Sequence, residues 1–533
     1  MRVRRLAAWT ALPLAVTLGL AACGSGGDGG SGGSGSDTVS IQIAEPQHLV
    51  PTNTTETSGN QVISGLFSPL VDYDAQNKPV EVAAESVTST DNKVWTIKLK
   101  DGFTFHNGEK VKSDNYINAW NYGAYAPNGQ GGSYFFEKIA GYEDLQGKQP
   151  KAKTLSGLKK LDDLTFEVTL SAPYIDFKTM LGYNAFYPLP DAAFSAPGVL
   201  KSDYEQAPIG QGPFKMKGTW QHDSKIDIER YDAYPLDKPK SKNIEFRIYQ
   251  QLTAAYADLL ADNLDVLPTI PTENLSTAQT DLGDRYQTSP MSSFQFLAFP
   301  TFDKDFANPD VRKAISMAID RDEITKSIFK NSQSPARSFV SPVLPGYREN
   351  TAGAAGEFNP TEAKKLYQAA GGPSKIVISY NGDGGHKDWV DATANQLKAN
   401  LGVEVVGSAE PKFADLLNKV EKKQPVGMFR LGWVMDYPSM EDYLGPLYTT
   451  NGSSNYYGYS NPEFDRLVKE GSAAATQDEA IKKYQQAEDI LAKDMPVIPL
   501  RFGENVFGHS SKVKNVEMDL FQRVNLVKVE AAS

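Results

Sequence analysis

Apolar and polar positions alternate most clearly in VWTIKLKDGFTF, Val94 to Phe105, where Trp95, Ile97 and Leu99 fall on one face and Thr96, Lys98 and Lys100 on the other. A period of two marks a half-buried strand, and Asp101-Gly102 supplies a turn, so the stretch predicts a hairpin. LTFEVTL repeats the pattern, with Leu164, Phe166, Val168 and Leu170 facing inward. Elsewhere the spacing becomes helical. Asn308 followed by Pro309 gives a cap and a first-turn proline, after which Val311, Ile315 and Ala318 share a face. Asp320 with Glu323 opens a second helix carrying Ile324 and Ile328, Asn461-Pro462 a third, and Thr476 with Glu479 a longer one presenting Ile481, Tyr484 and Leu491. Strands and helices alternating in this irregular way predict a mixed α/β body. No repeat with a period of 20 to 50 residues points to a solenoid or propeller.

One apolar run does not belong to that body. Leu6 to Ala22, broken by Pro13 and preceded by Arg2, Arg4 and Arg5, reads as a secretory leader rather than a spanning helix. Cys23 is the only cysteine of the chain, and it follows Leu20-Ala21-Ala22 directly. LAAC with a following glycine resembles the lipobox of bacterial lipoproteins, which implies that Cys23 becomes a lipid-bearing N-terminus. A lone cysteine also excludes any internal disulfide. GSGGDGGSGGSGS, residues 24–36, cannot bury apolar surface and is expected to act as a flexible tether spanning about 20 Å. No later segment has the run of apolar residues needed to cross a membrane.

Composition narrows the partners. At 533 residues with 40% hydrophobic content, two or three lobes are expected. The net charge of -11 becomes -14 once residues 1 to 22, with three positive charges and no negative one, are removed. An acidic body of this kind argues against a nucleic-acid partner. The five histidines, His48, His106, His222, His386 and His509, are scattered without ligand spacing, so no metal site is expected. GGSGG, residues 29–33, formally satisfies G-x-S-x-G but lies in the tether, away from any strand and helix. No phosphate-cradling glycine motif appears, and no cofactor is expected.

Four stretches resemble the oligopeptide and dipeptide-binding family of ABC-importer solute-binding proteins, also known as extracellular solute-binding protein family 5. They are VAAESVTSTDNKVWTIKLKDGFTFHNGEKVKSDNYINAW (Val82 to Trp120), APIGQGPFKM (Ala207 to Met216), NPDVRKAISMAIDRDEI (Asn308 to Ile324), and LGWVMDYP with SMEDYL behind it (Leu431 to Leu444). Locally, Gly210 and Gly212 read as a turn needing close backbone approach, and His106-Asn107-Gly108 as another tight turn. The resemblance implies an α/β two-lobed fold like that of periplasmic binding proteins, class II in type, with an additional third domain and a hinge crossed twice by the chain. By analogy domain I combines 37–57, 181–290 and 501–533, domain II spans 58–180, and domain III spans 291–500.

It also implies a site. The family's aspartate in the GW-x-x-D-Y string meets the α-ammonium of a bound peptide, and the matching residue is Asp436. Arg430 matches an arginine that can meet a peptide's carboxylate, Trp433 a pocket wall, and Gly432 to Val434 a backbone edge. AEPQHLVP places Glu45, Pro46 and Gln47 near the ligand's main chain. Each has a plainer reading on its own: Asp436 as a turn acid, Trp433 as core, Arg430 as a solvated or salt-bridged side chain. This chain departs from the family's D-Y-x-x-P pattern in reading DYPSMED and places Met435 before the acid. The expected function is a lipid-anchored, monomeric extracytoplasmic receptor that captures short peptides without catalysis and hands them to an ABC permease whose ATPases are other chains. The alternatives are a family member binding oligosaccharide, which the aromatic NYYGY at Asn455 to Tyr459 leaves open, or a metal or haem complex. From a different class, a secreted hydrolase remains the rival.

Overall fold

A computed structural model describes residues 37–532; the leader, Cys23 and the tether lie outside the described residues. Eleven strands form one long sheet, ordered by residue range as 214–216, 225–230, 243–248, 38–43, 266–267, 497–509, 286–298, 428–433, 375–381 and 404–410, with 333–335 added beside 497–509. A separate four-stranded sheet joins 84–89, 94–99, 165–169 and 158–160. Among the described residues no helix is long and apolar enough to cross a membrane.

The alternation in the sequence has its expected effect on burial but not on pairing. Trp95, Ile97 and Leu99 are buried, as are Phe166, Val168 and Leu170. Val94–Leu99 pairs antiparallel with Ala84–Ser89 on one side and Thr165–Thr169 on the other. It does not fold back on the segment behind Asp101-Gly102, so the expected hairpin is corrected. The turn exists, with Gly102 at φ 99°, but Phe103 and Phe105 are pulled into the core and only a single bridge, Thr104 to Lys110, forms there. One edge of the strand is taken by the segment just before it, Ala84–Ser89, and the other by Thr165–Thr169 from further along the chain.

The helix signals hold. Asn308 accepts from the Asp310 N–H, Asp320 from Glu323, Asn461 from Glu463 and Phe464, and Thr476 from Glu479. Each satisfies donors that the first turn leaves orphaned.

Three hydrophobic cores follow. One is built from residues 39–246 with the C-terminal stretch, a second from 294–502, and a small third around Leu252–Leu260 and Ala278–Leu282. Two strands of thirteen residues, Tyr286–Ala298 and Val497–His509, run antiparallel from the second core to the small third one, and Val497–His509 also places Phe507 in the first. Their pairing slips between Pro290 and Phe294 and again between Gln295 and Phe296. Slips of this kind disrupt a ladder locally and let a strand bend. The two strands thus form a ribbon with an irregular middle.

Two of the stretches that carry the family resemblance prove to be one contact. The His106 N–H donates to the Gly210 carbonyl at 2.9 Å, and the Gly210 N–H donates back to His106 Nδ1 at 3.2 Å. A side chain on Gly210 would collide with the Leu66 carbonyl, and one on Gly212 would put Cβ 2.5 Å from the Phe67 nitrogen. Burial holds the His106 imidazole down at about 4, so the ring stays neutral and can accept that bond.

Candidate ligand-binding cleft

Met428–Trp433 lies against Tyr286–Ala298, with Trp433 opposite Phe294. On its other side, pairing with Lys375–Asn381 covers only Met428 and Phe429. Past Trp433 the chain turns through Val434 to Ser439 and enters the helix Glu441–Tyr448, whose first turn carries Glu441 and Asp442. Acids are favoured there by the helix dipole.

That turn brings two carboxylates together. Asp442, 1% exposed, accepts from Trp433 Nε1 at 3.1 Å and from the Asp436 backbone N–H at 3.0 Å. The Asp436 side chain accepts from the Tyr134 hydroxyl at 3.4 Å, across 302 positions of sequence. Tyr134 is held by ring contact with Phe135 at 4.3 Å, and Phe135 stacks on Tyr183 at 3.9 Å. Burial pushes Asp436 up to about 7, and the Tyr134 hydrogen bond offsets this only in part. Burial, then the nearness of Asp436, holds Asp442 well above the usual carboxylate range. The strongest influences on this pair after burial are hydroxyl, indole, amide and further acid. Asp436 is half-buried, and the protein around it costs its carboxylate much of its hydration.

Asp436 opens onto a cavity of about 230 Å³, which also touches Thr55, Asn60, Tyr183, Val434 and Arg523. Val434 and Asp436 are thus together on its wall. The other site residues expected from sequence stand off it. Gly432 packs its backbone against the Gln295 side chain, leaving no room for a Cβ. Trp433 is half-buried and holds Asp442. Arg430 donates to Asn381 Oδ1 and Gln295 Oε1, each at 3.1 Å, and lies 5.6 Å from the Phe413 ring centre. Glu45 accepts from the Asp223 N–H at 3.0 Å and lies 2.8 Å from His222 Nδ1; Pro46 is buried, and Gln47 is exposed with its N–H on Glu56. The loop holding these three reaches the cavity only at its far end, Thr55 and Thr57.

Sequence reasoning missed Asp442, Tyr134, Tyr183 and Arg523. Asp442 stood in the quoted SMEDYL, but an acid in a first helical turn has a sufficient local explanation. Tyr134 and Tyr183 are brought in by folding alone. NYYGY turns out to be packing, with Tyr457 and Tyr459 buried. Among the described residues no group of three or more potential metal ligands occurs.

A second set of contacts lies beside the cavity. Tyr174, from the segment before Phe177, donates to Glu441 at 2.6 Å and touches the Tyr437 hydroxyl at 2.7 Å; Tyr437 also donates to Glu441. Asp176 accepts from Gln477 and Tyr484, each at 3.1 Å, and the Ile175 N–H donates to Ser472. Burial, then the nearby Glu441 charge, lifts Asp176 to about 6.

The chain resembles known proteins over nearly its whole length. It is 27% identical over 530 residues to the oligopeptide-binding protein OppA of Bacillus subtilis, covering 95% of this chain and 96% of that one. To the dipeptide-binding protein DppE of the same organism it is 26% identical over 474 residues, covering 86% and 84%. The crystal structure of Haemophilus influenzae OppA in complex with RPPGFSPFR superposes with a TM-score of 0.75 at 24% identity, over 93% of this chain and 99% of that one. That likeness establishes the two-lobed periplasmic-binding-protein fold. The family model described as bacterial extracellular solute-binding proteins, family 5 Middle, matches residues 78–455, which include the Tyr134, Asp436 and Asp442 constellation. The chain is a member of that family of bacterial extracellular solute-binding proteins.

Proposed function

We propose that this protein captures short peptides between its lobes, with the Asp436 carboxylate meeting the peptide's α-ammonium, and delivers them to an ABC permease. The observation that carries the reading is the Asp436 carboxylate on the wall of an interlobe cavity, backed by the buried Asp442. A cation placed there relieves a charge that burial otherwise disfavours, and an ammonium also donates the hydrogen bonds the carboxylate can accept. The strand Met428–Trp433 adds support. Among the described residues its ladder from Leu431 to Trp433 runs beside Phe294–Phe296, and the opposite edge of that stretch is one to which an extended main chain can add as a further strand. Relatives named for binding oligopeptides and dipeptides make the same ligand class the natural candidate.

In this reading Gly432 and Val434 offer that edge, Trp433 walls the first side-chain pocket, Arg430 lies further along the strand, and Glu45, Pro46 and Gln47 flank the opposite lobe. Cys23 carries the lipid that holds the receptor outside the membrane, and capture involves no bond cleavage. Domain III is assigned to 291–500, which the second hydrophobic core supports; domain I to 37–57, 181–290 and 501–533; and domain II to 58–180.

Native mass spectrometry of the protein purified from its own host tests the proposal. A ladder of bound masses matching intact short peptides is expected. A bound sugar or metal complex, or peptides cut during incubation, would overturn it.

A further inference from the structure

The cavity that receives Asp436 carries a second carboxylate. Asp72, in the middle of the strand Val71–Tyr73, lies on its wall and is exposed. It accepts the Tyr73 N–H at 2.9 Å and, among the described residues, bonds no base. Arg523, on the same wall, is taken by Asp519: its Nε donates to Oδ2 at 2.7 Å and its backbone N–H to Oδ1 at 2.8 Å. Against the pull of burial, Asp519, then Tyr187 and Asp72, hold that guanidinium charged, so two acids share one base. Counting Asp436, three acids face Arg523 around this space. An α-ammonium at Asp436 therefore leaves one negative charge over.

An independent group asks for the same ligand chemistry. Asn184, 4% exposed, also lines the cavity. Its Nδ2 donates to the Pro51 and Thr54 carbonyls, each at 2.7 Å, which fixes the amide. Among the described residues no donor reaches its Oδ1, so that oxygen stands as a fixed, unfilled acceptor. Two carboxylates and an amide oxygen call for hydrogen-bond donors, and a lysine ammonium or an arginine guanidinium is donor only. The two acids also belong to one space. Burial, then Asp72, lifts the Tyr73 phenol on the cavity wall, and Asp442, which backs Asp436, adds to it. The volume sets the size of the guest. About 230 Å³, against the roughly 150 Å³ that accommodates benzene's six carbons, leaves room for about nine non-hydrogen atoms. That is one lysine or arginine counted from its α-nitrogen to its tip, and less than a dipeptide. The rest of a peptide lies outside, along the Leu431–Trp433 edge.

We infer that the first side-chain pocket, bordered by Trp433, continues into this cavity and selects a cationic side chain, whose charge meets Asp72 while the α-ammonium meets Asp436. The preferred ligands are then short peptides that begin with lysine or arginine. The inference rests on the peptide reading above and adds to it the class of the first residue.

Calorimetric titration of the full chain with Lys-Ala-Ala, norleucine-Ala-Ala, Ala-Lys-Ala and N-acetyl-norleucine-Ala-Ala tests it. Norleucine keeps lysine's carbon chain without the charge. Lys-Ala-Ala is expected to bind about 10- to 100-fold more tightly than norleucine-Ala-Ala, the size of a hydrogen-bonded charge contact, and more tightly than Ala-Lys-Ala. Asp72→Asn is expected to abolish the advantage of lysine over norleucine. Asp72→Glu, which keeps the carboxylate, is expected to retain part of it, and the comparison among peptides on the parent chain decides alone if the asparagine variant does not fold. No advantage for Lys-Ala-Ala, an equal or greater affinity for Ala-Lys-Ala, or an advantage that Asp72→Asn leaves intact would overturn the inference. If it is overturned while acetylation still weakens the binding of norleucine-Ala-Ala, the Asp436 reading survives. If acetylation makes no difference, the peptide reading fails and this inference with it.

Discussion

Asp436 is held where ionisation is costly. Its folded-state pKa near 7 comes first from burial, and the Tyr134 hydrogen bond to its side chain offsets this only in part. In the free protein the acid is therefore ionised above that value and protonated below it. An ammonium partner favours the ionised form and lowers the pKa in the complex, so affinity is full above pH 7 and falls as the pH drops, by up to about tenfold per unit. A titration of Ala-Ala from pH 8 to pH 6 is expected to show this decline, and N-acetyl-Ala-Ala is expected to lack it. Affinity for the free-amino peptide that stayed flat over the range would contradict the ionisation assigned here. At this scale Asp436 was legible, because an acid in an aromatic string resembles a known pattern. Asp442 and Tyr134, which set its electrostatics, were not: one looks like an ordinary helix-start acid and the other arrives from 302 positions away.

Elements were legible in proportion to how local their causes are. The caps at Asn308, Asp320, Asn461 and Thr476 act within three residues, and each helix begins where its cap says. The hairpin expected after Leu99 failed because pairing is decided by partners elsewhere in the chain. Gly210 and Gly212 lie between: the motif signalled a close approach, and folding supplied what is approached, the Leu66 carbonyl and the Phe67 amide. The fit leaves no space for a methyl group. Gly212→Ala is expected to destabilise the protein by about 1 to 3 kcal/mol, as overpacking does, and urea unfolding followed by fluorescence measures it. An unchanged midpoint would mean that this junction yields freely.

At the scale of the molecule, the proposed ligand capture depends on two lobes meeting around the cleft. Tyr174, Tyr437 and Glu441 fasten them next to the cavity without lining it. Tyr174→Phe removes a hydrogen bond to a carboxylate in the closed arrangement and so lowers the closed fraction. Apparent affinity should fall with that fraction, up to about tenfold, with an increase in radius of gyration by solution scattering. Unchanged affinity and dimensions would show that the contact does not govern closure. The part played by Tyr174 was not visible in sequence, since it lies more than 260 positions from Tyr437 and Glu441. The central claim, that Asp436 neutralises the amino end of an enclosed peptide, is tested most directly by titrating parent and Asp436→Asn with one peptide in free-amino and N-acetylated forms. The account predicts that the substitution costs the free-amino peptide about 2 to 5 kcal/mol, or about 30-fold or more in affinity, and leaves the acetylated one unchanged. Equal losses for both forms, or no loss for either, would contradict it.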